Sequence, residues 1–98
     1  MDEIVTLQGI TFVWDRNKAM ENQRIHKVFF ETACEAFFDP FLRVVDATRN
    51  SEERDGLIGM DKASHLLFIV HIEQEEELIR IISARKATAE ERKFYEDV

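Results

Sequence analysis

Two apolar segments close together most restrict what this chain can become: HLLFIVHI at 65–72 and ELIRIISARK at 77–86, joined through the acidic run EQEEE at 73–77. The first is apolar on both alternating faces, the pattern of a strand covered on two sides. The acidic run predicts a turn, so the pair predicts neighbouring antiparallel strands inside a sheet. The second segment carries Arg80 and Arg85. Arginine is almost never fully buried without a partner. Five positions apart, the two point to opposite faces unless a bulge intervenes, whereas Ser83 and Arg85 share a face. Arg80, inside the strand, is expected to pair with Asp46 or Glu53. Arg85, beside Lys86 and close to the start of a helix, is expected to face an anion.

The remaining chain supplies what flanks that pair. IVTLQGITFVW at 4–14 predicts a strand bent or interrupted at Gly9. Asp15 is the expected N-cap of a short helix over 16–25, whose apolar content is thin. Phe30, Ala33, Cys34, Phe37, Phe38 and Phe41 recur at helical spacing, and Asp39-Pro40 stops that helix. Strands follow at 42–46 and, more weakly, at 53–60, where Gly56 and Gly59 fall. Thr88 and Glu91 have capping-box spacing and open a last helix. The order is β-α-α-β-β-β-β-α, an α+β fold in which a meander carries helices on one face.

At 98 residues the chain fits one domain, 1–98. No apolar run nears the ~20 residues a membrane helix needs. The acidic beginning MDEIVTLQG does not suit a signal peptide, and the one cysteine, Cys34, suits a buried thiol in a reducing compartment; a cytoplasmic protein is expected. Net charge is −7, which argues mildly against nucleic acid, since phosphate contacts favour basic proteins. The charge is uneven, however. Acids gather at 73–77 and bases at 80–86, so a local basic concavity holding Arg54, Arg80 and Arg85 is expected on an acidic body.

Lys18, Asn22 and His26 fall at i, i+4 and i+8 of the first helix. They offer a cation, an amide and a proton-exchanging ring, either on a solvated face or at an anion site. His26, His65 and His71 lack metal-ligand spacing, and no phosphate-binding glycine loop is present.

As a set, FVWDRNKAMENQRIH, EAFFDP, EERDGLIG and IRIISARKATAEERKFYE resemble the BrnT family, small toxins of type II toxin–antitoxin systems. The resemblance spans 12–96. It implies a RelE-like compact antiparallel sheet with flanking helices. It implies metal-independent, cofactor-free RNA cleavage that halts translation. It implies a BrnA-like ribbon-helix-helix antitoxin, with DNA contacted only through that partner. Such cleavage needs a base for the 2′-hydroxyl, positive charge for the phosphorane and an acid for the leaving oxygen. His26, Glu53 and Arg85 are the expected catalytic residues; Lys18, Arg54 and Arg80 are expected to bind substrate. Tyr95 becomes a candidate acid if its helix folds back over the sheet. This chain has Ile25-His26-Lys27 where similar members carry Lys-His-Gly, and Asn50 where a histidine is frequent. With the net charge, these departures keep a second reading in view, a catalytically inactive protein-binding module of the same fold.

Overall fold

The computed structural model describes residues 1–75 and 77–97. The segment predicted as one strand over 4–14 is a hairpin, β1 (Asp2–Leu7) and β2 (Ile10–Asp15). Gln8 and Gly9 both take positive φ, 49° and 83°, as the two central residues of a tight hairpin turn with primed geometry require. Helix α1 (Arg16–His26) follows, capped by Asp15, whose carboxylate accepts from Lys18 N at 3.0 Å. Helix α2 (Phe30–Glu35) continues through a 3₁₀ turn (Ala36–Phe38). Then come β3 (Arg43–Asp46), β4 (Asp55–Met60), β5 (Leu66–Glu75), β6 (Leu78–Lys86) and α3 (Ala89–Glu96). The turn expected over the acidic run is shorter than predicted, because β5 continues to Glu75; Glu76 lies outside the described residues.

One mixed sheet has the order β1-β2-β6-β5-β4-β3. The meander β3 to β6 is antiparallel as expected, but β2 joins β6 in parallel, with Thr11 opposite Leu78 and Val13 opposite Arg80. The sheet is therefore six-stranded and mixed rather than five-stranded and antiparallel. The extra strand and the parallel pair both arise from the hairpin, which returns β2 beside the last strand.

Phe12, Trp14, Leu57, Leu67, Ile69, Ile81 and Ala84 point to one face, where α1 and α2 cover them. The α2 stripe supplies Phe30, Ala33 and Cys34, all fully buried, with Phe37 and Phe38 packed against them. Phe41, expected to extend that stripe, is 72% exposed because Asp39-Pro40 turns the chain away first. In α1 the apolar residues Met20 and Ile25 are exposed, and a polar residue does the anchoring. Buried Asn22 donates to Val28 O (3.0 Å) and Ala84 O (2.8 Å), and accepts from Ala84 N (3.0 Å). On the opposite, outer face Ile58, Leu66 and Phe68 lie under α3, which has folded back over the sheet. No helix among the described residues is long and apolar enough to cross a membrane.

Candidate functional site

Between Val70–Ser83 and His71–Ile81 the β5–β6 register shifts by one, so Ile82 is an extra residue in β6. That bulge resets the pleat. Arg80 pairs with Ile72, and Arg85 with Phe68, and these two β5 residues share the outer face. Both arginines therefore lie on one face, joined there by Ser83.

Each arginine already holds a carboxylate. Arg80 makes a two-pronged contact with Asp2 (2.8 and 3.4 Å), reaching over Val13 to the outer face of β1. The expected partners Asp46 and Glu53 are not used, since the unforeseen strand β1 brings Asp2 closer. Arg85 grips Glu91 through both terminal nitrogens (2.8 and 2.9 Å), and its guanidinium lies 4.4 Å from the centre of the Phe68 ring. Glu91 also accepts from Thr88 N at 2.8 Å, completing the capping box. The hydrogen bonds from Arg85 hold the Glu91 carboxyl below its ordinary range, and those to Asp2 act likewise on that carboxyl. Arg54 pairs with Glu52 at 3.1 Å. The expected basic concavity is thus overturned: Arg54, Arg80 and Arg85 are all neutralised by neighbours within the chain.

Glu53 and Arg54 line a cleft of about 500 Å³ with Asp46, Thr48, Asp55, Ile72 and Glu73. Four carboxylates there face one guanidinium. Glu53 is exposed, and Arg54 Nε is buried without a hydrogen-bond partner among the described residues. Ile72 connects this cleft to Arg80, its register partner.

The helix-α1 candidates sit elsewhere. Lys18 and His26 are exposed on the helix that covers the other face, while Asn22 is buried between them. The spacing therefore marks neither one solvated face nor one anion site. His26 adjoins Lys27, which lines a cleft with Lys86 at the end of β6. Glu53 precedes the opposite end of β4, whose six residues separate the two ends by roughly 17 Å. The structure brings Arg54, Arg80 and Arg85 to one face with Glu53 at its edge, and leaves His26 and Lys18 apart from them.

Tyr95 does reach the sheet, but its hydroxyl donates to Asp39 at 2.6 Å. Burial first, then that bond, push its pKa up to about 12. Cys34 is buried as expected, and burial raises its thiol to about 12. His71 packs edge-on to Phe37 at 4.9 Å in the core.

Sequence reasoning missed one pair. His65 precedes β5, and its Nδ1 lies 3.1 Å from Oδ2 of Asp61, a carboxylate whose side chain is 2% exposed. The signal available was the four-residue step in DKASH, a loop closed by a short polar side chain accepting from the backbone ahead of it.

The family model described as "Ribonuclease toxin, BrnT, of type II toxin-antitoxin system" matches residues 14–91. The chain belongs to this family. No match is found among curated proteins. Membership makes this BrnT-family chain a type II toxin–antitoxin ribonuclease toxin, which suggests RNA as substrate and an antitoxin as partner. The matched span takes in α1, the Glu53 cleft, Arg80, Arg85 and Glu91. It leaves out β1, and with it Asp2, the carboxylate that covers Arg80.

Proposed function

We propose that this BrnT-family protein, acting as one domain over 1–98 with a RelE-like fold, cleaves RNA in the cytoplasm without a metal and so inhibits translation. A BrnA-like ribbon-helix-helix antitoxin neutralises it, and DNA is reached only through that antitoxin. The observation that carries this reading is the family match over 14–91. In the proposed reaction the RNA 2′-hydroxyl attacks the neighbouring phosphorus, and the bond to the leaving 5′-oxygen breaks. Exposed Glu53 takes the hydroxyl proton, and the leaving 5′-oxygen is protonated by solvent water. Arg54 and Arg80, on either side of Ile72, hold the phosphate once Glu52 and Asp2 release them. Both carboxylates are substantially exposed, 66% and 46%, and exposed ion pairs hold by only ~0–1 kcal/mol, so phosphate can displace them. Arg85, expected from sequence as catalytic, serves here by fixing α3 through Glu91. His26 and Lys18 contact RNA beyond the scissile bond.

A second reading, an inactive module that only binds a partner protein, is favoured by one observation: Arg54, Arg80 and Arg85 are each matched by a carboxylate. Expression without an antitoxin separates the two. Growth arrest that Glu53→Gln relieves, with unchanged thermal unfolding, supports the ribonuclease. Normal growth while soluble protein accumulates supports the module.

A further inference from the structure

At the end of the sheet away from Glu53 lies a cleft of about 240 Å³, lined by Lys27, Thr32, His65 and Lys86 among others. We propose that this cleft is a phosphate-binding subsite for the RNA chain, remote from the scissile bond. The ligand class rests on the ribonuclease reading; the anion site itself rests on the following geometry.

His65 is held rather than loose. Asp61 Oδ1 accepts from Ala63 N and from His65 N, each at 2.9 Å, and Oδ2 meets His65 Nδ1 at 3.1 Å. Asp61 N donates to His65 O at 3.0 Å, which closes the loop on itself. Lys62 N is tied to Glu35 at 3.0 Å. The buried Asp61 thus spends its carboxylate on its own loop and holds the His65 ring through Nδ1, while that side chain stays 58% exposed.

Lys27 ends α1 at φ 61°. Glycine takes that left-handed position without strain; a side chain there is strained. The chain accepts the strain and gains an ammonium at the cleft mouth, where it also caps the helix through Arg24 O at 2.9 Å. Lys86, the last residue of β6, is exposed and has no ion pair among the described residues. Two ammonium groups and an oriented imidazole face the cleft, and the one acid there, Asp61, is buried and occupied. This is the reverse of the Glu53 cleft, where acids outnumber bases.

The test uses the full-length protein and a 2′-O-methyl RNA decamer, which binds but cannot be cleaved, with inorganic phosphate as a second probe. Affinity is measured against salt for the wild type, Lys27→Gly, Lys86→Gln, and Lys93→Gln on α3 as control. Losing one phosphate contact should lower the slope of log K against log salt by about 0.7. We expect that loss for Lys27→Gly and Lys86→Gln but not for Lys93→Gln. Lys27→Gly should unfold at a higher temperature than the wild type, since glycine relieves the strain, so its weaker binding has no structural explanation. Unchanged affinity and slope in both variants overturns the subsite. So does a wild type that binds inorganic phosphate but not the decamer. Cleavage of unmodified RNA is followed in parallel. If the wild type cleaves and the variants bind normally, the subsite fails while the ribonuclease stands. If nothing is cleaved yet the variants bind the decamer more weakly, the ribonuclease fails while the subsite stands.

Discussion

Asn22 on α1 reads Ala84 on β6 as a neighbouring strand would, accepting from its N–H at 3.0 Å and donating to its carbonyl at 2.8 Å. One side-chain amide thus fastens a helix whose larger apolar residues, Met20 and Ile25, face solvent, and of which only Ala19 adds an apolar contact to the core. Asn22→Ala leaves Ala84 N and the carbonyls of Ala84 and Val28 without these partners, all in the interior. Leaving buried polar groups unpaired costs ~1–3 kcal/mol. We expect Asn22→Ala to lower the urea midpoint by more than any other single alanine substitution on α1. A midpoint within error of wild type would remove this role.

Arg85 should matter more to stability than Arg80. Glu91 is 19% exposed and joins the pair to the capping box, whereas Asp2 is 46% exposed at the chain's beginning. Arg85→Ala should cost ~1–3 kcal/mol and loosen α3. Arg80→Ala should cost ~1 kcal/mol or less. Chemical denaturation of both variants checks the order. Position along the strand alone suggests the opposite ranking, because Arg80 lies among isoleucines; the ranking turns on the partners, which sequence position does not disclose.

Gly59 should tolerate alanine less well than Gly56. A Cβ at Gly59 would come within 2.7 Å of the backbone carbonyl of Ala36, which cannot move without shifting the 3₁₀ turn. At Gly56 the nearest atom, 2.6 Å away, is the far end of the Phe68 ring, which can tilt. Overpacking of the first kind costs ~1–3 kcal/mol. Thermal unfolding of the two variants should differ accordingly.

Stability should fall on acidification in two limbs. Burial lowers the pKa of His71, so the folded state keeps its ring neutral. The unfolded chain binds a proton there below about pH 6.5, so this contribution is complete above that pH and is lost as pH falls through the lower folded value. Glu91 is also lowered, chiefly by Arg85. Its contribution is complete above the ordinary glutamate range near 4.3 and is lost as pH falls through its folded value. His71→Leu should flatten the upper limb and leave the lower one. Urea unfolding across this range provides the measurement; an unchanged upper limb in His71→Leu would contradict the assignment.

Local pattern revealed β3 to β6, α2 and the Thr88 capping box, because alternation, helical spacing and cap chemistry are all short-range. It did not reveal the hairpin. Gln8 at positive φ lacks the usual Asn-Gly or Asp-Gly signal, so Gly9 suggested only an interruption. The parallel pairing of β2 with β6 is a contact between distant segments and leaves no periodic trace. Nor does Ile82 in LIRIISARK announce a bulge, yet that residue decides that both arginines share a face. For the site, the residue types were visible and the decisive partners were not: Asp2 meets Arg80 only after folding, and Glu91 meets Arg85 only once α3 turns back, whereas Glu52 lies two residues from Arg54 in the chain. Asp61 and His65 were adjacent enough to find, but DKASH also suits any polar loop.

The strand order has a consequence for how the molecule is made. The first hairpin has no place in the sheet until β6 exists, since Thr11, Phe12 and Val13 pair with Leu78, Ile79 and Arg80. The meander β3–β4–β5 can form during synthesis; β1–β2 and α1 must wait, because Asn22 also lacks its anchor until Ala84 is made. Closing that long span carries an entropic cost that only the finished sheet repays. A chain cut short before β6 has two unjoined pieces of sheet and an undocked helix, and Arg80 and Arg85 are absent from it. Incomplete synthesis therefore yields neither the fold nor the arginine-bearing face.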